Sequence, residues 1–388
     1  MSLPPLSLYV HLPWCVHKCP YCDFNSHEYS GDLPEAQYID ALIIDLEQAI
    51  DSAQGRSLTS IFIGGGTPSL FSAHAIDRLL SAIAATPLRN PEAEVTLEAN
   101  PGTLEAGRFR DYRQAGVNRL SIGVQSFDDD LLQRLGRIHS SRQAIAAIES
   151  AQDAGFERIN IDVMYGLPGQ TAQQGESDIQ QALALEPGHL SYYQLTLEPN
   201  TLFHHQPPAL PTDELIGDIE SNARSQLGQA GYQQYEVSAF SHPRQASLHN
   251  LNYWQFGDYI GIGAGAHAKL TFPERDEIQR YSRIRQPQAY LQASSTTVSD
   301  SNLVPDQDRL FEFMLNALRL RDGFSIELLS ERTGLPTAEV ASQLQSRLSQ
   351  GLLAQSAPHH YRPTALGWRY LNDLQSSFLP NDPGLTAG

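Results

Sequence analysis

From the N-terminus to about residue 200, short aliphatic and β-branched runs alternate with longer amphipathic stretches. The runs LSLYVHL (6–12), LTSIFIG (58–64), AEVTLEA (93–99), NRLSIGV (118–124), RINIDVM (158–164) and LSYYQLT (190–196) predict strands. Between them, YIDALIIDLEQAI (38–50), AIDRLLSAIAA (75–85), SRQAIAAIESAQDAG (141–155) and ESDIQQALALE (176–186) carry apolar positions at helical spacing. Strand starts recur every 25–50 residues or so, the length of a βα unit. Six such units in a row predict an α/β fold: a parallel sheet curled into a full or partial TIM-type barrel and wrapped by helices. No Gly-x-Gly-x-x-Gly follows the first strand, which weighs against a dinucleotide-binding sheet.

The texture changes near residue 275, and the sequence divides into a barrel at 1–275 and a small, mainly helical module at 276–388. In the module, PDQDRLFEFMLNALRL (305–320), two further helical segments, the extended pieces LLAQ and HHYRP, and a last helix near Phe378 predict a winged-helix arrangement. Charge argues against DNA there, because residues 300–388 hold ten acidic residues against seven Arg and no Lys. The whole chain carries −18, with only two lysines, Lys18 and Lys269, so nucleic acid is not an expected partner. No apolar run reaches the roughly 18–20 residues of a membrane span. The first residues lack the basic and apolar regions of a signal peptide, which predicts a cytoplasmic protein.

All three cysteines fall within residues 15–22, as Cys15-Val-His-Lys-Cys19-Pro-Tyr-Cys22, directly after the first predicted strand. An odd, tightly clustered set suits metal ligation better than disulfides. Three thiolates can hold three irons of a [4Fe–4S] cubane and leave the fourth open to another ligand. A zinc site completed by His11 or His17 is the alternative, since structural zinc takes four protein ligands.

Barrel chemistry sits at the C-terminal ends of the strands. Those ends carry Tyr9, then Gly64-Gly65-Gly66-Thr67-Pro68, Glu98 and Asn100, Gln125 and Ser126, and Asp162, with Arg137 in the segment after the fourth strand. Polar groups recurring in that register suit a zwitterionic ligand with a ribose. Glycines would admit it close to the backbone, and Arg137 would meet its carboxylate.

The C-x3-C-x2-C motif, with the aromatic Tyr21 before its last Cys, resembles the signature of the radical S-adenosylmethionine (SAM) superfamily. There the amino and carboxylate groups of SAM chelate the open iron. The stretches YVHLPWCVHKCPYCDFNS (9–26), FIGGGTPSL (62–70), EANPGT (98–103), RLSIGVQSFDDDLLQRLGRIH (119–139) and NIDVMYGLPGQT (160–171) further resemble the oxygen-independent coproporphyrinogen III oxidase-like proteins. That resemblance implies a cluster on Cys15, Cys19 and Cys22, with Tyr9, Gly65, Gly66, Thr67, Glu98, Gln125, Arg137 and Asp162 at SAM-contacting positions. Two features depart from the oxidases: Phe24 stands where they have a fourth Cys, and only fourteen residues precede Cys15. Both match the HemW-type branch, regarded as heme chaperones. That branch also shows the motif present here as His249-Asn250-Leu-Asn-Tyr253-Trp254. The resemblance implies heme and heme-accepting proteins as partners, and an electron donor for the cluster. His249 is the first candidate for the heme iron and His267 its rival, while Arg280, Arg283 and Arg285 could meet the propionates. From the residues alone, His249 could equally be a hydrogen-bonded structural histidine in a segment that completes the barrel.

Overall fold

The computed structural model describes residues 1–29, 31–102, 107–293 and 296–380. Thr103, at the end of EANPGT, lies outside the described residues. In chain order the strands are β1 (Leu6–Leu12), β2 (Trp14–Cys15), β3 (His27–Glu28), β4 (Leu58–Gly65), β5 (Glu94–Ala99) and β6 (Arg119–Gln125). They continue with β7 (Ile159–Tyr165), β8 (His189–Gln194), β9 (Gln233–Glu236), β10 (Ala239–Ser241), β11 (Asp258–Ile262) and β12 (His267–Phe272). The last are β13 (Glu277–Arg283), β14 (Val298–Leu303), β15 (Phe324–Ser325), β16 (Leu353–Ala357) and β17 (His360–Pro363).

Twelve of them form one sheet in the order β14-β13-β12-β11-β1-β4-β5-β6-β7-β8-β10-β9. The stretch from β11 through β8 is parallel, and both flanks are antiparallel. The protein is therefore a parallel α/β barrel of the partial kind. Its strands read as near-continuous apolar runs because they are buried on both faces: Leu6, Leu8, Val10 and Leu12 of β1 are all fully buried. Helices follow β4 to β8, and several of them start at side-chain caps. Ser140 and Thr171 each close a capping box with a Gln three residues on, opening helices Ser141–Asp153 and Ala172–Ala184.

The expected division at residue 275 falls in the turn between β12 and β13, which pair from His267↔Ser282 to Phe272↔Glu277. We propose Val304 as the start of the second unit instead. From there a separate core gathers Leu310, Phe313, Met314, Leu318, Phe324, Leu329, Val340, Leu344, Leu353 and Phe378. The unit is mainly helical, with a three-stranded sheet β15-β17-β16 as its wing. Arg319 ties it to the barrel, stacking over Trp254 at 4.3 Å and pairing with Glu236 at 3.2 Å.

Candidate radical SAM site

At the C-terminal end of the barrel lies a cavity of about 350 Å³. All three cysteines line it, together with Tyr21, Gly65, Gly66, Thr67, Glu98, Gln125, Arg137 and Asp162. Tyr9 and His249 do not line it. Asn100, Ser121, Ser191, Tyr193, Glu236, Ser238, Asn250 and Trp254 also line it.

The cysteine loop is fastened from both sides. Short parallel pairing of β2 with β3 sets Cys15 opposite Glu28, and Lys18 Nζ donates to the carbonyls of Phe24 and Ser26 at 3.2 Å each. The glycine run after β4 packs against the same loop: Gly66 N–H donates to Leu12 O and Thr67 N–H to Trp14 O. A Cβ on Gly66 would sit 2.5 Å from Trp14 O, and one on Gly65, whose φ is +118°, 2.6 Å from the His11 ring. These glycines are therefore required by chain-to-chain contact before any ligand is considered.

A hydrogen-bonded chain runs across the strand ends to the cysteines. Asn100 Nδ2 donates to Thr67 Oγ1 at 2.9 Å, and Arg137 Nη2 donates to Asn100 Oδ1 and Gly123 O, both at 2.8 Å. Arg137 Nη1 donates to Cys19 Sγ at 3.5 Å. Its Nε is buried with no partner among the described residues, as is Trp254 Nε1 on the same wall. Gln125 adopts a left-handed φ of +70° at a β-bulge and accepts from Tyr193 Oη at 2.9 Å. A non-glycine residue held there stores strain, a feature concentrated at ligand sites.

The acidic side is equally uncompensated. Burial, then the charge of Asp162, pushes the Glu98 carboxyl up to about 8, although Gly65 N–H donates to it at 3.1 Å. Burial likewise raises Asp162, despite donors on Asn160, Ser191 and Ser121. A cationic ligand would relieve both carboxyls, and SAM carries a sulfonium and an ammonium.

The thiols can be tested against the two metals that their spacing allows. Both histidines proposed to complete zinc already have a partner. His11 Nε2 donates to Asn25 O and its Nδ1 accepts from Tyr9 Oη, both at 2.9 Å, while His17 Nδ1 pairs with Glu28 at 3.0 Å. The three thiols line an open cavity. That arrangement fits a polynuclear cluster with three protein ligands. Tyr9 thus acts on the loop through His11 and Asn25, not from the cavity wall.

His249 departs most from its expected place. It lies behind the cavity wall, 2% exposed, on the helix Leu248–Trp254 that Ser247 caps and whose Asn250 and Trp254 do line the cavity. Its Nδ1 bonds Ser60 Oγ at 2.9 Å, its Nε2 bonds Tyr253 Oη at 3.1 Å, and its ring stacks on Phe62. With both nitrogens engaged it offers none to a heme iron; burial pushes its imidazole down to about 3, which keeps it neutral.

A partial parallel barrel with three cysteines after its first strand and a polar wall at its strand ends defines the radical SAM class, and residues 9–182 match the Radical SAM superfamily. Residues 304–370 match the HemN C-terminal domain. Among curated proteins, the chain is 47% identical over 385 residues to the heme chaperone HemW of Haemophilus influenzae, covering 98% of this chain and 100% of that one. It is 47% identical to heme chaperone HemW of Escherichia coli, at 98% and 99% coverage, and 34% identical to that of Bacillus subtilis, at 96% and 99%. The chain belongs to the HemW family. Among solved structures, coproporphyrinogen III oxidase (HemN) from Escherichia coli superposes with a TM-score of 0.81 at 23% identity, covering 97% of this chain and 90% of that one, a likeness of fold. The superfamily implies a [4Fe–4S] cluster and SAM. Among the described residues no helix is long and apolar enough to cross a membrane.

Proposed function

We propose that this protein binds heme and passes it to acceptor proteins in the cytoplasm. Its cluster would sit on Cys15, Cys19 and Cys22, with SAM in the cavity beside it. The observation that carries this reading is the full-length likeness to proteins named heme chaperone HemW. When bound, the cluster supplies one-electron chemistry and an iron open to SAM, and a protein electron donor would reduce it. The chain's own residues bind and orient. The guanidinium of Arg137 would meet a carboxylate, Glu98 and Asp162 cationic or hydroxyl groups, Gln125 and Tyr21 the remainder of the ligand, and Gly65, Gly66 and Thr67 hold the loop.

Phe24 supports the chaperone over oxidative decarboxylation of coproporphyrinogen III. Where the oxidases have a fourth thiol, this chain presents an aromatic ring, 60% exposed, at the cavity mouth. The test is anaerobically reconstituted protein mixed in one arm with heme, and in another with coproporphyrinogen III, SAM and a reductant. Heme binding without decarboxylation is expected. Turnover at about 1 per second or faster, an enzyme's rate, would replace the chaperone with the oxidase.

A further inference from the structure

Asn160 and Asp162 stand two apart on β7 and share a face of the sheet. In register beside Asn160 are Ser121 of β6 and His189 of β8, and beside Asp162 is Ser191. Asp162, Ser121 and Ser191 line the cavity, whereas Asn160 and His189 lie beneath it, 1% and 2% exposed. Such a layer of a barrel is ordinarily filled by branched aliphatic side chains. A buried amide and a buried imidazole cost stability unless their polar atoms are met.

Here they are met. Asn160 Nδ2 donates to Ser121 Oγ and to Asp162 Oδ1, both at 2.8 Å. Its Oδ1 accepts from His189 Nδ1 at 2.6 Å and from Ser191 Oγ at 3.0 Å. His189 Nε2 meets Tyr235 Oη at 2.8 Å. Two donations and two acceptances exhaust an amide, so the Asn160 head group has a single orientation. An ionised carboxylate only accepts, so the NH₂ of Asn160 faces Asp162 and its oxygen faces His189. The imidazole therefore carries its proton on Nδ1 and accepts at Nε2 from the Tyr235 hydroxyl. Ser247 N–H donates to that same hydroxyl oxygen at 3.4 Å, which leaves the hydroxyl hydrogen for His189. Burial, then the charges of Arg119 and Arg158, hold the His189 imidazole well below its ordinary range, so it stays neutral and keeps this tautomer.

Resting on the reading that SAM occupies the cavity, we propose that Tyr235, His189 and Asn160 are positioning residues for it. They form a one-way chain of hydrogen bonds that holds Asp162 as an oriented acceptor for the ligand's hydroxyl or cationic groups. None of the three lines the cavity. Asn160 fastens Oδ1 of the carboxylate, and Ser121 Oγ meets Oδ2 at 3.3 Å, so its plane is set from beneath before a ligand arrives. Preorganisation of this kind lowers the cost of binding. An apolar filler would serve the core, but it would leave Asp162, whose proton affinity burial already raises, free to turn and to take up a proton.

The test is a set of double-mutant cycles on the full-length, cluster-loaded protein, read as SAM affinity from the change SAM induces in the cluster's spectrum. Asp162→Asn alone should weaken SAM about tenfold or more. His189→Leu removes the donor to Asn160 and should cost about fivefold, with iron–sulfide content unchanged. His189→Asn, which keeps an N–H near the place of Nδ1, should recover most of that loss. Tyr235→Phe, the mildest change, should cost about threefold. In the Asp162→Asn background, His189→Leu and Tyr235→Phe should cost nothing further, because both act through that carboxylate. Losses that persist at full size in that background overturn the proposal, as does wild-type affinity in Asp162→Asn or in both His189→Leu and Tyr235→Phe. Where His189→Leu fails to load its cluster, the Tyr235→Phe cycle decides by the same criteria. A wild-type protein that binds no SAM overturns instead the reading on which the proposal rests.

Discussion

The two ends of the barrel use the same residue types to opposite effect. At the N-terminal end, buried carboxylates are met by cations. Asp258 pairs with Lys269 at 3.0 Å and Arg56 at 2.7 Å and accepts from Thr271, and Glu94 pairs with Arg158 at 2.7 Å. His189 donates to Asn160 and accepts from Tyr235. At the C-terminal end, Glu98 and Asp162 are buried with raised proton affinities and stand in no ion pair among the described residues. A completed polar network rigidifies, whereas an incomplete one is costly unless a ligand completes it. The contrast therefore separates the end that holds the fold from the end that holds the chemistry.

The comparison breaks most directly at the cysteines. Changing Cys15, Cys19 or Cys22 to Ala should take anaerobically loaded protein from about four iron and four sulfide per chain to little or none. Circular dichroism and the thermal midpoint should stay near wild type, because these side chains line a cavity and not the core. Stoichiometric zinc with no iron after reconstitution would refute the cluster.

The opposite end should answer in stability. Asp258→Asn leaves Lys269 buried without its counter-charge, a loss of about 3–5 kcal/mol for a broken buried pair. Burial alone would raise the Asp258 carboxyl, but Lys269 and Arg56 hold it below the usual carboxylate range. Chemical denaturation should show the loss. A variant as stable as wild type would mean that this network does not support the barrel.

Much of this division was legible in the sequence, and what escaped it escaped for physical reasons. Strands β1 and β4 to β8 stand within about two residues of their apolar runs, because burial on both faces leaves an unbroken signal. The cysteine spacing and the polar strand ends located the cavity. The flank β13–β14 was not legible: EIQRYSR is mostly half-buried, VSDSNL is largely exposed, and neither carries a strong apolar alternation. Tyr193, Ser191 and Glu236 reach the cavity only through the curvature of the sheet. HNLNYW reads as a polar loop, yet it is a helix whose His249 enters the barrel, since Ser60 and Tyr253 satisfy both ring nitrogens.

Arg137 sharpens the comparison on the ligand side. Arg137→Ala removes the guanidinium and its hydrogen bonds to Asn100 and Cys19, so SAM affinity should fall by roughly 1.5–3 kcal/mol. SAM-induced change in the cluster's spectrum measures it. Unchanged affinity would remove Arg137 from the site.

The smallest effect tests how the strained strand end is held. Asp178, on the helix behind the cavity, accepts from Ser126 Oγ at 2.9 and 3.0 Å and from Phe127 N–H at 2.6 Å. It thereby fixes the two residues that follow the left-handed Gln125. Burial pushes its carboxyl up to about 7, with Asp128 adding to the rise against these donors. Between pH 4 and 7 or so, the folded protein keeps a proton that the unfolded chain releases. This group's contribution to stability is therefore greatest at low pH, falls as pH rises through that window, and levels off above it. Asp178→Asn should remove that component of the pH profile and weaken the grip on Phe127, at a cost of about 1 kcal/mol near pH 5. Thermal midpoints of both proteins between pH 4.5 and 8.5 or so decide it. Parallel profiles would show that Asp178 does not titrate in this range, and its hold on Gln125 would then have to be judged from SAM affinity alone.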